Sequence, residues 1–321
     1  MTRLIGLLVI LLAAAFVVSL LAGRVWLSPH DILDVHNPLA QLIVVDLRLP
    51  RTLLALLVGG ALGLSGAVLQ GLTRNPLAEP GLLGVSTGAA LGAVLAIYFG
   101  AATAFGLAGP LLGLLGALLA CALTFALGQG GTIALILAGA AVSSLTAAGI
   151  ALALNFAPSP YAAYEIMNWL LGSLADKSWP QLWLLLPFVI IGGTMLGTTG
   201  RALDALSLGE AQAQSLGINL NRLRLVIIFG TALAVGAATA VTGAIGFIGL
   251  VAPHLARPFV GHQPSRILLP AALGGALLLL CADIAARLIQ VGPELKLGVF
   301  TSLVGTPFFF WLVVRLRKTA P

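Results

Sequence analysis

The sequence is poor in charge: aspartate, glutamate, lysine and arginine make up 8% of its 321 residues. A soluble globular domain carries about 25% of such residues, so this chain lacks the polar surface that a water-soluble fold requires. Cysteine is also scarce, and both Cys121 and Cys281 lie in apolar stretches. We interpret them as small buried hydrophobic residues and not as a disulfide or a metal site. Alternation of apolar and polar residues is nearly absent, which argues against an outer-membrane barrel.

Long uncharged runs take the place of the missing charge. Residues 4–23, 52–73 and 80–164 contain no charged side chain, and a helix needs roughly 20 apolar residues to cross a bilayer. We therefore predict an all-α polytopic membrane protein, with residues 1–321 forming a single transmembrane domain. Ten helices are predicted, at about 4–23, 52–73, 82–100, 107–127, 131–155, 181–199, 223–242, 244–260, 267–288 and 298–315.

Basic residues indicate the sidedness of these spans. They stand singly at the ends of apolar runs, which indicates topology and not a nucleic-acid surface, although the pI is near 10. Ten spans place both termini on one side of the membrane. If that side is the cytoplasm, ten lysines and arginines lie inside and six lie outside. Because basic residues favour the inner side, we predict cytoplasmic N- and C-termini.

The sequence shows no energy source for transport. Among the few titratable residues within the predicted spans, Asp283, His254 and Arg257 lie close to helix ends, whereas ion-coupled carriers keep such groups near the midplane. None of the three lysines belongs to a G-x-x-x-x-G-K-[ST] phosphate loop. We therefore predict that the chain is not an enzyme, and that another protein supplies the work for any uphill transport.

One polar segment interrupts the apolar second half, at Ala205–Leu225. On the predicted topology it is cytoplasmic, and it can form short helices that bind a groove on an ATP-hydrolysing partner. Ser207 or Asp204 is expected to cap the first helix, and Gly209 and Gly217 are expected to break it into pieces. On the residues alone, an ordinary solvated connector is the favoured explanation, because long polar loops in membrane proteins often only connect spans.

Two further features concern the outer side and the packing of the helices. The segment Tyr161–Leu174 is aromatic, weakly amphipathic and too short to span, so it is predicted to lie at the outer interface or to form part of an outer gate. Glycines recur at four-residue spacing in 59–63 and 84–92. Such rows allow helices to approach closely, although a pathway lined by small neutral residues is the alternative.

Several long stretches, quoted in chain order, resemble one known family: RLPR (Arg48–Arg51), GGALGLSGAVLQGLTRNPLAEPGLLGVSTGA (Gly59–Ala89), LGEAQAQSLGI (Leu208–Ile218), GAIGFIGLVAPHLAR (Gly243–Arg257) and LGVFTSLVGTPFFFWL (Leu297–Leu312). They are similar to the FecCD-type permeases, the membrane subunits of bacterial ABC importers for vitamin B12, haem and ferric siderophores. The likeness covers nearly the whole chain.

The resemblance implies an inner-membrane homodimer of ten-helix permease domains, with two copies of a cytoplasmic ATPase subunit and one periplasmic substrate-binding protein. No cofactor is expected on this chain, since ATP and Mg would bind to the ATPase. The implied coupling segment is 203–221. On the predicted topology the outer side receives the loop Trp26–Arg51, the outer-face segment 158–180 and the turn Gln290–Leu297. The coupling residues are expected to be Leu206, Leu208, Gly209, Glu210, Ala211, Ala213, Leu216 and Gly217. Those that bind the binding protein are expected to be Arg48, Arg51 and Arg287, as partly exposed partners of carboxylates.

The cargo is the least defined part of this interpretation. Family frequency favours a ferric siderophore, with haem and cobalamin close behind. The main alternative to the importer is a stand-alone gradient-driven carrier, which the scarcity of membrane carboxylates disfavours. A passive channel is a third possibility, but no charged ring or carbonyl-rich filter motif appears. On the importer hypothesis, Glu210→Pro is expected to break the coupling segment and abolish transport.

Overall fold

The computed structural model describes residues 1–23, 25–28, 30, 37–289 and 294–319, with the side chains of residues 103, 313 and 315–319 outside the description. Over these residues the secondary structure is helical, without strands. We number thirteen helices in chain order: α1 Thr2–Leu21, α2 Pro38–Thr73, α3 Val85–Tyr98, α4 Ala108–Leu127, α5 Thr132–Asn155, α6 Pro160–Leu170, α7 Trp179–Gly197, α8 Gly200–Leu206, α9 Glu210–Ser215, α10 Leu220–Thr242, α11 Ile248–Val260, α12 Pro264–Leu288 and α13 Leu297–Thr319. Single helical turns at Pro80–Leu83 and Ala101–Ala104 precede and follow α3.

The ten predicted spans all appear as helices. In the described part of the chain, seven helices are long and apolar enough to cross a membrane: α1, α2, α4, α5, α7, α10 and α12. The shorter apolar helices α3, α11 and α13 account for the other three. The predicted polytopic all-α class is therefore confirmed.

Helix α2 is longer than predicted. Residues up to Arg51 were expected to form an outer loop, but the helix begins at Pro38, where the Asn37 side chain accepts a hydrogen bond from the Ala40 amide at 3.2 Å. A π-helical stretch, Leu42–Arg48, joins its first turn to the rest. The apolar residues 42–45 extend the helical pattern outward. Arg48 and Arg51, which were expected in the loop, are therefore helical residues. His36 of the predicted loop lies outside the described residues, and His30 is exposed.

Glycines bring the longest helices into backbone contact. A Cβ atom on Gly63 of α2 would lie 2.1 Å from the carbonyl oxygen of Ala271 on α12, and one on Gly92 of α3 would lie 2.0 Å from that of Leu112 on α4. No side chain fits at such distances. The glycine rows are therefore close-packing surfaces, as the first of the two interpretations predicted.

The eighth span is discontinuous. It was predicted as a helix over 244–260, but α11 begins only at Ile248, because Gly243 and Phe247 both adopt positive φ angles, of 74° and 67°. The intervening residues are not helical. Thirteen helical residues rise only about 20 Å, so this span needs its non-helical part to cross.

The outer-face segment 158–180 contains one short helix, α6. Ser159 caps it by accepting a hydrogen bond from the Ala162 amide at 3.1 Å. Ile166 is completely buried, whereas Tyr161 and Tyr164 are exposed. A short amphipathic helix of 11 residues is therefore confirmed, and its place at the membrane interface stays a prediction.

The two cysteines differ in exposure. Cys121 is buried between helices as predicted, but Cys281 is exposed on the surface of the chain. The prediction was wrong for Cys281 because its side of α12 faces an apolar groove between α11 and α13. An apolar sequence around a cysteine does not distinguish a protein-facing position from one facing lipid or a partner.

Candidate functional site

The predicted coupling segment, residues 203–221, folds as the end of α8, a tight turn, α9 and the start of α10. Gly209 precedes α9 with a φ of 117° and Gly217 follows it with a φ of 84°, a region that favours glycine. The Ile218 amide donates to the carbonyl of Ala213 at 3.0 Å, which closes the C-terminal end of α9. The predicted role of both glycines as helix breakers is confirmed.

Asp204 caps a different helix from the one predicted. Helix α8 begins at Gly200, so Asp204 and Ser207 lie at its C-terminal end and cannot cap its start. The Asp204 carboxylate instead accepts hydrogen bonds from the Ser265 amide at 2.8 Å, the Ser265 hydroxyl at 2.6 Å and the Gln263 amide group at 2.7 Å. These residues form the start of α12. Partial burial raises the pKa of Asp204, but the hydrogen bonds from Ser265 and Gln263 outweigh it and bring the pKa below its ordinary value.

Glu210 fastens α9 to the helix bundle. Its carboxylate accepts hydrogen bonds from the hydroxyl of Thr132 on α5 at 2.8 Å and from the guanidinium of Arg224 on α10 at 3.0 and 3.1 Å. Partial burial raises the pKa of Glu210, but the Thr132 hydrogen bond and the charge of Arg224 outweigh it, so the pKa lies below its ordinary value. Glu210 was expected to contact a partner, yet its charge is already paired within the chain.

The position of Glu210 also corrects a predicted variant. Glu210 is the first residue of α9, where the backbone amide has no partner within the helix. Proline is well tolerated at such a position, and Gly209 before it has a ψ of 157°, outside the α region that a following proline disfavours. Glu210→Pro would therefore remove the Thr132 and Arg224 contacts without breaking a helix.

The predicted coupling residues divide into an inward and an outward set. Leu206 and Ala213 are buried, and they anchor the segment to the hydrophobic core. Leu208 and Leu216 are exposed over 65% and 62% of their surface, and Ala211 is exposed between them in sequence. A polar cleft opens beside α9, lined by Gln129, Gly130, Gly131, Glu210, Gln214, Ile218, Asn219, Leu220, Asn221 and Arg224. The segment thus presents exposed leucines from a backbone that is held in place.

The predicted outer arginines gather at the opposite end of the bundle. Arg48 is 8% exposed, and its guanidinium donates to the backbone carbonyls of Leu20 at 2.8 Å, Leu21 at 2.7 Å and Val25 at 2.5 Å. Two of these are carbonyls at the C-terminal end of α1, which lack partners within their helix. A cation at that end is stabilised by the helix dipole. Arg48 therefore joins α1 to α2.

Arg51 lies between two carboxylates. Its Nε and Nη2 atoms donate to Asp283 of α12 at 2.9 and 2.7 Å, and its Nη1 and Nη2 atoms donate to Glu294. The first contact joins residues 232 positions apart in sequence. Asp283 is fully buried, whereas the side chain of Glu294 is 30% exposed.

Arg287 completes the cluster, one helical turn after Asp283 on α12. It donates to the Asp283 carboxylate, to the backbone carbonyl of Ser19 at 3.0 Å and to the Ser19 hydroxyl at 2.6 Å. The Ser19 hydroxyl also shares a hydrogen bond of 2.7 Å with that of Thr52. Helices α1, α2 and α12 are thus joined by one polar network, and burying such a network requires that its members be paired.

The structure therefore brings the three predicted arginines together, but it leaves only Arg51 partly exposed, with 13% of its side chain accessible. Arg48 and Arg287 are each 8% exposed, so the predicted exposure was wrong for both. Sequence reasoning missed Glu294 and Ser19 as members of the cluster. The spacing of Asp283 and Arg287, four residues apart on a helix, was the one available signal for an ion pair.

Comparison with known proteins identifies the family. The model of the FecCD transport family matches residues 11–315. The chain belongs to the FecCD transport family. It is 41% identical to the vitamin B12 import system permease protein BtuC of Escherichia coli O9:H4 (strain HS), over 96% of this chain and 94% of that protein. It is also 41% identical to the BtuC of Klebsiella pneumoniae subsp. pneumoniae, over 97% of this chain and 93% of that protein.

Solved structures agree with this assignment. A structure described as an inward-facing ABC transporter of the metal-chelate type aligns with a TM-score of 0.89 and 34% identity, over 98% of this chain and all of the other. PsaBC from Streptococcus pneumoniae aligns with a TM-score of 0.56 and 19% identity, over 88% of this chain and 92% of the other, which shows a shared fold alone. The chain is thus a membrane permease subunit of an ABC importer. It works with a separate ATPase and a substrate-binding protein.

Proposed function

We propose that two copies of this chain form the transmembrane pore of an importer in the bacterial inner membrane. Two copies of an ATPase subunit bind their cytoplasmic face, one periplasmic binding protein binds the outer face, and both termini lie in the cytoplasm. ATP and Mg bind only to the ATPase. The observation that carries this proposal is the coupling segment, whose Glu210 and Asp204 are bound within the chain while Leu208 and Leu216 are exposed.

The contacts of this segment support a mechanical role. Glu210 joins α9 to α5 and α10, and Asp204 joins α8 to α12. A displacement of α8 and α9 by a partner would therefore be transmitted to three spans at once. Exposed leucines can enter an apolar groove on the ATPase, since apolar anchors supply much of the binding energy at interfaces.

We propose a cobalt corrinoid of the vitamin B12 type as the first candidate cargo, ahead of the ferric siderophore favoured by family frequency. Its support is the 41% identity to vitamin B12 import permeases over nearly the whole chain. A cavity of about 710 Å³ at the start of α13 offers a weakly polar surface for part of such a complex. Its lining is small and mostly apolar, with two hydroxyls and no charged group: Leu170, Leu171, Ala244, Gly246, Gly298, Val299, Ser302, Leu303, Thr306 and Pro307.

Purification in mild detergent followed by reconstitution tests this function. The tagged chain should bring down an ATPase and a periplasmic protein. In proteoliposomes, the recovered complex should take up cyanocobalamin only when ATP is present. It should also take up cyanocobalamin in preference to ferrichrome. Uptake driven by an ion gradient without an ATPase would instead establish the stand-alone carrier. ATP-dependent uptake of ferrichrome alone would keep the importer and replace the cargo.

The coupling surface is tested with two exposed leucines. Leu208→Ser combined with Leu216→Ser should weaken ATPase binding about tenfold or more, because two apolar anchors are lost. Folding should be retained, since both side chains are exposed. Ser207→Ala combined with Ser215→Ala, at neighbouring exposed positions, is the matched control and should bind normally. Unchanged ATPase affinity in the leucine variant would show that the segment is an ordinary connector.

A further inference from the structure

Both bidentate edges of the Arg51 guanidinium are engaged. The edge formed by Nε and Nη2 binds Asp283, and the edge formed by Nη1 and Nη2 binds Glu294, with Nη1 at 3.4 Å from Oε2. A planar guanidinium offers two such edges to carboxylates. No edge therefore remains for a carboxylate from another protein while both internal partners stay in place.

The two internal partners are not equally held. Asp283 is fully buried and also accepts hydrogen bonds from Arg287, so its removal would leave two buried guanidinium groups without their carboxylate. Glu294 is 30% exposed, and its hydrogen bonds to described side chains all come from Arg51. An exposed carboxylate can exchange this contact for water at little cost. Glu294 is thus the partner that can leave.

The charge around Arg51 favours a replacement anion. A cleft of about 250 Å³ opens here, lined by Gly23, Val25, Ile43, Leu47, Arg48, Arg51, Arg287 and Glu294. Three guanidinium groups and one carboxylate belong to this lining, and Asp283 behind it supplies the second carboxylate. Within the described residues, Arg48 is held by backbone carbonyls and has no carboxylate partner. The cluster therefore carries a net charge of +1, which becomes +2 when Glu294 withdraws.

We propose that Glu294 is an exchangeable internal ligand of Arg51, and that the substrate-binding protein binds here through a carboxylate that replaces it. This inference rests on the proposed function. The incoming carboxylate gains a contact with Arg51, but Glu294 loses a similar one. The affinity for the binding protein therefore reflects only the difference between these two contacts. The internal ligand thereby weakens the complex and allows the binding protein to leave after delivery. Glu294 would tune this affinity, with Asp283 holding Arg51 in the required orientation.

The experiment uses the purified importer complex and the binding protein recovered with it. Glu294→Gln keeps the size of the side chain and removes its charge, so the affinity for the binding protein should rise at least about fivefold. Glu165→Gln is the matched control: it removes one carboxylate from α6, also on the predicted outer side, without touching Arg51, and should change the affinity less than about twofold. Glu294→Asp keeps the charge but shortens its reach, and should give an intermediate rise.

Each outcome bears on the inference. An affinity that is unchanged or reduced in Glu294→Gln would overturn it, and an equal rise in Glu165→Gln would reduce it to a general effect of net charge. If Glu294→Gln does not fold, Glu294→Asp decides the test. An affinity of that variant for the binding protein no higher than that of the unaltered chain would then overturn the inference. A wild-type complex that binds no periplasmic protein at all would overturn the proposed function, and this inference with it.

Discussion

Two charged clusters lie at opposite ends of the helix bundle, and they differ in burial and in the sequence distance they join. At the coupling segment, Glu210 pairs with Arg224 only 14 residues away and keeps 35% of its side chain exposed. At the other end, Arg51 pairs with Asp283 across 232 residues, and Asp283 is fully buried. The first cluster positions a surface segment, and the second joins three spans.

This difference indicates how the same chemistry serves two purposes. A partly exposed ion pair contributes little free energy to stability, so the Glu210 pair serves mainly to link α9 to α10. A buried network is costly to disrupt, because losing one member leaves another charge unpaired in a region without water. The outer ends of α1, α2 and α12 should therefore move as one body.

Removing the centre of the buried cluster should have the largest effect on stability. Asp283→Ala leaves Arg51 and Arg287 without their shared carboxylate, and should lower the free energy of unfolding by about 3–5 kcal/mol. Unfolding of the detergent-solubilised protein, followed by circular dichroism, measures this. Asp46→Ala removes an exposed carboxylate from α2 and should change little. A loss below about 1 kcal/mol in Asp283→Ala would mean that the cluster is not a stabilising centre.

The inner end offers a substitution of intermediate effect. Asp204→Ala removes three hydrogen bonds at the start of α12 and should cost about 1–2 kcal/mol, the usual range for the loss of a helix cap. Amide hydrogen exchange should increase in the first turn of α12. Ser207→Ala is the control, since among the described residues the Ser207 hydroxyl donates its hydrogen bond to the backbone carbonyl of Asp204. Unchanged protection of that first turn would contradict the capping role.

The smallest effect should come from the exposed pair and should depend on pH. The pKa of Glu210 is lowered in the folded state, so its contribution is present above the ordinary value of about 4.5 and is lost as the pH falls through the lowered pKa. Because Glu210 is partly exposed, the contribution should stay within about 0.2–1 kcal/mol. Between pH 6 and pH 3 the unaltered protein should lose this contribution to its stability. Glu210→Gln lacks the carboxylate, so its stability should not show this loss. An identical pH profile in both proteins would show that the pair does not stabilise the fold.

Prediction from the sequence succeeded where a local pattern is sufficient. The uncharged runs located the ten spans, and Gly209 and Gly217 located the ends of α9, because bilayer crossing and positive φ angles act on neighbouring residues. It failed for α11, where Phe247 adopts a positive φ angle that the sequence pattern does not indicate. It also failed for the cap by Asp204, whose partner is 61 residues away.

The sequence by itself determined the class of the protein, its spans, its lack of a phosphate loop and the place of its polar segment. Composition and the length of apolar runs decide these properties, because the bilayer excludes charge along the whole length of a helix. Only the tertiary structure decided which charges are paired. It showed that Arg48 closes the end of α1 and that Arg51 lies between Asp283 and Glu294. Such partners meet because helices pack side by side. Their separation along the chain does not indicate that they are paired.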